Sequence, residues 1–413
     1  MYSKSGLGKI ITIEMHVDSK NDHTVRKKIL AISYLFPNPE KPNHGIFVYN
    51  RLNAMAKYAD ITVINPIPWS PIHLFIDKFK HLSHIPSSTQ RGNLSIYHPR
   101  YLSIPGHFKA LEILSYRNAV KKVIKKIRFD FDLIDLHWTF PDLPAGDYLS
   151  NRYHTPYRVT LRGMEAFHQQ DGDIRERTVA KYLKKVDSII SLSEEMADTA
   201  DRIASSRHKT KVVRNGVDTD AFFYKDKTAC RNNLEIPSEN KVIIGVGALI
   251  YRKGFDVVIN ALSHIVNTEA LHNTHFYILG AEGAEGDYRK ELRKLVFDLQ
   301  LSEHVHFVGA VPNEKLIDWY NAADLFCLSS RGEGSPNVLT EALACGCPAL
   351  ATKVGSVPEI MASEPNLGKV VSPDDNLAIV NALIMLLQQD LNREELAKSF
   401  RKYTWDWCSL QCI

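Results

Sequence analysis

The chain has no apolar run approaching the roughly 18 residues that a membrane-crossing helix needs, so no transmembrane span is expected. It also opens without the charged-then-apolar pattern of a secretory signal. Its six cysteines lack zinc or redox spacing: one residue separates Cys345 from Cys347, three separate Cys408 from Cys412, and Cys230 and Cys327 stand alone. In a chain of 413 residues that reads as reduced thiols in a cytosolic protein rather than a disulfide frame. No Gly-Lys-Ser/Thr follows a glycine-rich loop, which excludes a Walker-type phosphate site. Neither sign of charge dominates, with 51 Lys and Arg against 47 Asp and Glu. A net charge of +4 and a pI near 8.5 do not mark a nucleic-acid binder.

What remains is 44% hydrophobic and 24% charged, the balance of a globular protein. The length suits two domains of roughly 150–200 residues each. Residues 1–27 are polar and without sustained period, and are read as an N-terminal extension in which Met15 could be the true start. From Lys28 the pattern alternates strand and helix. KKILAISYLFP is a strand, the turn PNPEKPNHG leads to Gly45 at a helix entry, and IFVYNRLNAMAKYA is that helix. ITVINPIP follows as a buried strand. Residues 66–116 resist assignment, and long irregular insertions of that kind often carry binding surface.

FKALEILSYRNAVKKVIKKIRF is a helix that turns basic: half of the positions from Arg117 to Arg128 are Lys or Arg, and none is acidic. With Val120, Val123, Ile124 and Ile127 as its apolar stripe, it could lie on an anionic membrane surface or be a solvated face over a core. His137 and Arg162 each end a strand, in DLIDLHW and YRVTLRG, on the side of a parallel sheet where ligands gather. An N-terminal Rossmann-like domain is expected over 28–223, a charged hinge over 224–240, a second Rossmann-like domain over 241–390 and a returning C-terminal helix over 391–413. The fold class is therefore α/β, with two parallel sheets facing a cleft.

The most informative stretch is SSRGEGSPNVLTEALACGCPALAT. Glu333 lies in a loop and Glu341 eight positions later on a helix, with Ser335 as expected N-cap and Pro336 at the first helical position. Free amides at Asn337 and Val338 would sit at the positive end of the helix dipole, where anions bind. Carboxylates flanking an anion site suit a phosphorylated ligand rich in hydroxyls, such as a sugar nucleotide. Simple capping with a solvated Glu341 is the alternative.

Together with GALIYRKGFD in the second half and HGIF and LHWTFPD in the first, this stretch resembles glycosyltransferase family 4, nucleotide-sugar enzymes of the GT-B fold. The resemblance runs from Lys28 to about Trp407. It implies that Arg252 and Lys253 bind the donor diphosphate, Glu333 the transferred sugar and Glu341 the ribose. Gly334, Ser335, Pro336, Asn337 and Val338 would hold the pyrophosphate and sugar, Val311 would meet the base, and Gly45 would belong to a loop closing over the donor. A leaving diphosphate gains charge in the transition state, so fixed cations there act where they accelerate most.

His137 and Arg162 would orient or deprotonate the acceptor, although relatives place a histidine where this chain has Arg162. The resemblance also implies retention of configuration, no metal or other cofactor, a UDP-sugar donor and a glycan or lipid-linked acceptor at the inner face of the membrane. Relatives commonly run on past the Trp-containing segment, so weaker docking of this tail is expected. Two alternatives keep the fold: a nucleotide-sugar epimerase and a non-catalytic glycan- or nucleotide-binding subunit. A dinucleotide site at GVGALI is disfavoured, because Ile250 stands where the third glycine should be.

Overall fold

The structure, a computed structural model, describes residues 26–71, 80–104, 108–163, 174–283 and 285–413. Apart from Arg26 and Lys27, the extension expected over 1–27 lies outside the described residues. The first ten strands are β1 (Lys28–Ile32), β2 (Asp60–Ile64), β3 (Ile67–Trp69), β4 (Ser88–Arg91), β5 (Leu94–Tyr97), β6 (Arg100–Leu102), β7 (Leu133–Leu136), β8 (Tyr157–Leu161), β9 (Ser188–Ser191) and β10 (Thr210–Val212). Eight of them form one sheet in the order β10-β9-β8-β7-β1-β2-β5-β4, and β3 pairs with β6 beside it. Only β4 runs antiparallel, to β5.

The second sheet holds β11 (Lys241–Val246), β12 (Thr274–Leu279), β13 (Val305–Gly309), β14 (Leu325–Leu328), β15 (Ala349–Thr352) and β16 (Gly368–Val371). Its order is β13-β12-β11-β14-β15-β16, and every pair is parallel.

The central strands of both sheets are buried on both faces, which is why they are continuous apolar runs, whereas the edge strands β4, β10 and β16 are partly exposed. Successive residues of β1 show it: Leu30 and Ile32 enter one core cluster, Ile29 and Ala31 the other. In the second domain Val242 and Ile244 face one core while Ile243 faces the opposite one. Each sheet reverses its strand order at one place, between β1 and β7 and between β11 and β14. Loops leaving the carboxyl ends of strands at such a reversal part to opposite faces and leave a crevice for ligand. Gly45 and His137 follow the first pair; Arg252, Lys253 and Glu333 follow the second.

Gly45 caps the helix Ile46–Met55 with φ of 67°, and a Cβ there would stand 2.7 Å from the carbonyl carbon of Leu35. Its missing side chain is thus required by the fold of the loop itself. Residues 66–116 hold the β3–β6 pair and the β4–β5 hairpin, whose two-residue turn, Gly92-Asn93, is a sequence signal for such a hairpin.

The expected hinge over 224–240 is corrected. Lys227–Asn233 is a helix packed on the second domain, with Cys230 and Ile236 in that core and Arg231 paired to Asp324 at 2.8 Å. The two charges on this helix, Lys227 and Arg231, both pair with Asp324, and Lys225 just before it pairs with Asp318. Val217 already belongs to the core of the second domain while Val213 belongs to the first, so the chain crosses between them. It crosses back near Thr404. There Val217 N–H donates to Tyr403 O at 2.9 Å, and a Cβ on Gly216 would meet Thr404 O at 2.3 Å.

The tail divides at this crossing. Leu396 and Phe400 of the helix Arg393–Phe400 lie in the second domain's core, each worth about 1.5–3 kcal/mol if fully buried. The helix Trp405–Leu410 packs on the helix Ile46–Met55, and Cys408 and Cys412 join the first domain's core. All six cysteines are unpaired and buried.

Candidate active site

Two loops of the second domain are clasped together at the β11/β14 crevice. The turn Tyr251–Lys253 follows β11, and residues 329–336 follow β14. Arg331 N–H donates to Arg252 O at 2.8 Å, and Ser329 Oγ donates to Lys253 O at 3.1 Å. The Arg331 guanidinium grips Asp256 through two bonds of 3.0 and 2.8 Å, reaches Asp374, and lies 4.1 Å from the Tyr251 ring centroid. Such a bidentate grip fixes orientation as well as charge. Gly254 lets the loops touch, since a Cβ there would fall 2.0 Å from Ser329 O.

This clasp brings the cations onto Glu333. Lys253 Nζ lies 2.6 Å from Glu333 Oε1, which also accepts from Ser330 Oγ at 2.7 Å. Arg252 Nη1 stands 3.5 Å from the other oxygen and donates to Gly332 O at 2.8 Å. The remaining face of Arg252 holds Glu285 through bonds of 2.9 and 2.6 Å. Two cations are balanced by two carboxylates. Glu285 is 49% exposed and Glu333 only 10%, so an entering anion would displace Glu285 at the smaller cost.

The helix Asn337–Ala344 starts one residue later than expected. Pro336 is its cap residue, and Ser335 makes no capping hydrogen bond. With ψ of 103° at Pro336 the backbone is still extended there, so a proline closes the loop instead of opening the helix. Glu341, one turn in, accepts from Tyr320 Oη at 3.0 Å. Burial pushes its carboxyl up to about 7, against the opposing pull of that hydrogen bond. Val311, Asn337 and Glu341 line one cavity of about 470 Å³. The first domain contributes Tyr49, Asn50 and Arg91 to the same cavity, and the tail contributes Trp405.

The domains touch beside this site. A Cβ on Gly334 would lie 2.4 Å from the carbonyl oxygen of Arg162. Glu195 accepts from Gly355 N–H at 2.7 Å, Glu359 from Glu194 N–H at 2.7 Å, and Asn337 from Asn215 at 3.0 Å. Ser193 supports the Glu194–Ala204 helix, accepting from Met196 N–H at 3.1 Å.

His137 and Arg162 are brought together but turned inward. Arg162 Nη2 donates to His137 Nδ1 at 2.8 Å, which leaves the histidine proton on Nε2, 3.5 Å from Asp135. Asp135 in turn takes two bonds from Arg158, of 2.9 and 2.7 Å. His137 is fully buried, and that burial lowers its pKa to about 4, leaving a neutral ring. Its Nδ1 thus faces Arg162 and its Nε2 faces Asp135.

Arg51, Arg158 and Arg162 are all buried here against one aspartate. A hydrogen bond from Cys412 and the two cations Arg51 and Arg162 draw the Cys408 thiol below its usual range. No helix among the described residues is long and apolar enough to cross a membrane.

The sequence did not single out Arg331, Glu285, Tyr320 or Arg91. Arg331 and Asp256 are 75 positions apart, and only the Rossmann strand order makes them neighbours.

Comparison with known proteins agrees with this build. Residues 82–221 match the model for Glycosyltransferase Family 4, and residues 226–406 match that for Glycosyl transferases group 1. The chain is 26% identical over 380 residues to TuaC of Bacillus subtilis, a glycosyltransferase assigned to teichuronic acid biosynthesis, covering 90% of this chain and 92% of that one. It is 27% identical over 295 residues to the D-inositol 3-phosphate glycosyltransferase of Xylanimonas cellulosilytica, covering 67% and 69%.

Among solved structures, the sucrose-phosphate synthase of Thermosynechococcus elongatus superposes with a TM-score of 0.74 at 20% identity, covering 94% of this chain and 97% of that one. HepE of Anabaena, solved with UDP and glucose, superposes with a TM-score of 0.69 at 20% identity, covering 94% and 98%. The fold is GT-B, and the chain is a glycosyltransferase. It belongs to the family 4 glycosyltransferases.

Proposed function

We propose that this enzyme transfers a hexose or N-acetylhexosamine from a UDP-sugar to a glycan or lipid-linked acceptor, with retention. One observation carries the donor half: Arg252, Lys253 and Glu333 converge at the β11/β14 crevice beside the cavity that Glu341 and Val311 line. The cations meet the diphosphate, Glu333 the sugar hydroxyls, Glu341 the ribose and the Val311 segment the base. Gly334 to Val338 present backbone to the pyrophosphate and sugar. HepE, of the same fold, was solved with UDP and glucose, which supports uridine as the base. TuaC, by its name, supports a polysaccharide product.

In the reaction the bond from the anomeric carbon to the phosphate oxygen breaks and a bond to the acceptor oxygen forms. The acceptor proton passes to the departing phosphate. The burial of His137 supports that route over a histidine base, and a phosphate that takes the proton from the acceptor works on the face it leaves, the course of a retaining transfer. The anomeric configuration of the product, read by NMR, tests it; an inverted product sinks the reading. An epimerase would isomerise the nucleotide sugar without an acceptor, and the glycosyltransferase relatives weigh against it.

The Glu341 assignment sets the first test. Glu341→Ala should weaken UDP binding by about 1–3 kcal/mol, the worth of charged hydrogen bonds to the ribose. The ribose hydroxyls donate, so binding needs the carboxylate. With its pKa raised to about 7 in the free enzyme, UDP affinity should climb between pH 6 and 8 and level off above. Glu341→Gln should flatten that climb. Calorimetry showing equal UDP affinity in wild type and Glu341→Ala would remove Glu341 from the site.

The acceptor half draws on the basic helix Lys109–Ile127. Arg117 and Lys121 turn back onto Tyr148, with distances of 4.8 and 5.7 Å to its ring centroid. Lys122, Lys125 and Lys126 are exposed, as are Leu111 and Leu114. Apolar groups beside lysines suit the surface of an anionic bilayer, which supports a working position at the inner face of the membrane, beside a lipid-linked acceptor. Vesicles rich in phosphatidylglycerol should sediment the wild type, while changing the three lysines to glutamate should abolish it. Equal sedimentation of both would end the proposal.

A further inference from the structure

The hairpin β4–β5 is the antiparallel addition to an otherwise parallel sheet, and the reaction just described gives it no task. Its turn is nevertheless seated with care. Gly92 has φ of 55°, and a Cβ there would fall 2.4 Å from Asn53 Oδ1 and 3.0 Å from Tyr49 Oη. The bare glycine therefore lets the turn press against the helix Ile46–Met55. Arg91, just before it, donates from Nη1 to Pro42 O at 3.1 Å, and its guanidinium lies 4.3 Å from the centroid of the Tyr49 ring. A guanidinium stacked on an aromatic face keeps its edge donors directed outward in the plane.

Arg91 lines the cavity that also holds Glu341 and Val311. Among the described residues lining it, Arg91 is the sole cation. The diphosphate has its own cations in Arg252 and Lys253, which do not line this cavity. A ribose on Glu341 and a base at Val311 leave Arg91 with the base edge to meet. The geometry points to Arg91 as a specificity residue that reads the nucleotide base, donating to the oxo group at C4 of uracil or C6 of guanine and so selecting these over cytosine and adenine, which carry an amino group there. This rests on the reading of Glu341 and Val311 as the nucleoside wall. An arginine only donates, so an exocyclic amino group facing it leaves donors opposed and unpaired, a mismatch that discriminates strongly.

Calorimetry without acceptor, using UDP, CDP, GDP and ADP, tests it. UDP and CDP differ at the exocyclic group that Arg91 would read. Wild type should prefer UDP over CDP, and GDP over ADP, by about tenfold, the effect of one charged hydrogen bond. Arg91→Met should collapse both preferences, mainly by weakening the oxo partner, with an unchanged melting temperature. Arg91→Lys should recover part of them. Preferences that survive in Arg91→Met overturn the inference, as does a variant that changes only the acceptor KM. Glu341→Ala separates the two readings: it should weaken all four nucleotides alike if the nucleoside wall is right, whatever Arg91 does. No effect of Glu341→Ala fails the wall itself.

Discussion

Lys253→Met should lower turnover by about two to three orders of magnitude, the cost of removing one preorganised charge from a developing anion. The charge on the leaving diphosphate grows as the glycosidic bond stretches, so a fixed cation lowers the transition state more than the bound donor. kcat and kcat/KM should therefore fall together, with little change in the KM for donor. Methionine is the better probe than alanine, because the Lys253 stem packs where a Cβ on Gly247 would reach it at 3.2 Å. The fold should tolerate the change. Glu333 keeps the Ser330 hydroxyl at 2.7 Å, and Arg252 at 3.5 Å can close on the vacated oxygen. If the two cations carry the phosphate charge unaided, wild-type turnover should also survive a strong chelator. A well-folded Lys253→Met enzyme with normal turnover would take Lys253 out of the mechanism, and a chelator-sensitive wild type would contradict the metal-free reading.

Sequence exposed this site where chemistry and local pattern coincide. The buried strands β11, β14 and β15 are short apolar runs, and the segment from Glu333 to Glu341 follows one of them directly, so its position at a strand end could be read in advance. What could not be read depends on distant pairings. Arg331 looks like a solvated loop residue until strand order sets it against Asp256 and Asp374. His137 and Arg162 do follow strand ends, at Leu136 and Leu161, but their depth depends on the tail: Cys408 and Cys412 join the first domain's core, and Ser409 Oγ donates to Arg51 O at 3.1 Å. Lys227–Asn233 reads as hinge because its charged and polar residues outnumber its apolar ones; its one buried apolar residue, Cys230, is too small to reveal a period. Arg91 was lost in a stretch with no period over its length, although Gly92-Asn93 marked the turn beside it.

The second large effect concerns how the domains meet, and it isolates closure from binding. Gly334→Ala should reduce turnover by about ten- to a hundredfold, since displacing a reacting group by about 1 Å can cost that much. Nothing about the Gly334 backbone demands glycine; the constraint is the 2.4 Å that an added Cβ would leave to Arg162 O, and 3.0 Å to Gly163 Cα. Both obstacles are backbone of the opposite domain, so relief of the contact pushes this loop and the first domain apart. Opening would loosen the Glu195–Gly355 and Glu194–Glu359 hydrogen bonds and draw Glu333 away from an acceptor bound on the first domain. UDP affinity should fall by no more than about tenfold, the share assigned to Arg91 of the first domain, because Arg252, Lys253 and Glu341 all belong to the second. The melting temperature should hold for the same reason, as neither core is disturbed. Solution scattering should show a larger radius of gyration for the variant with UDP bound than for wild type with UDP bound. A Gly334→Ala enzyme that turns over normally would show that the close approach of Gly334 to Arg162 is not on the reaction path.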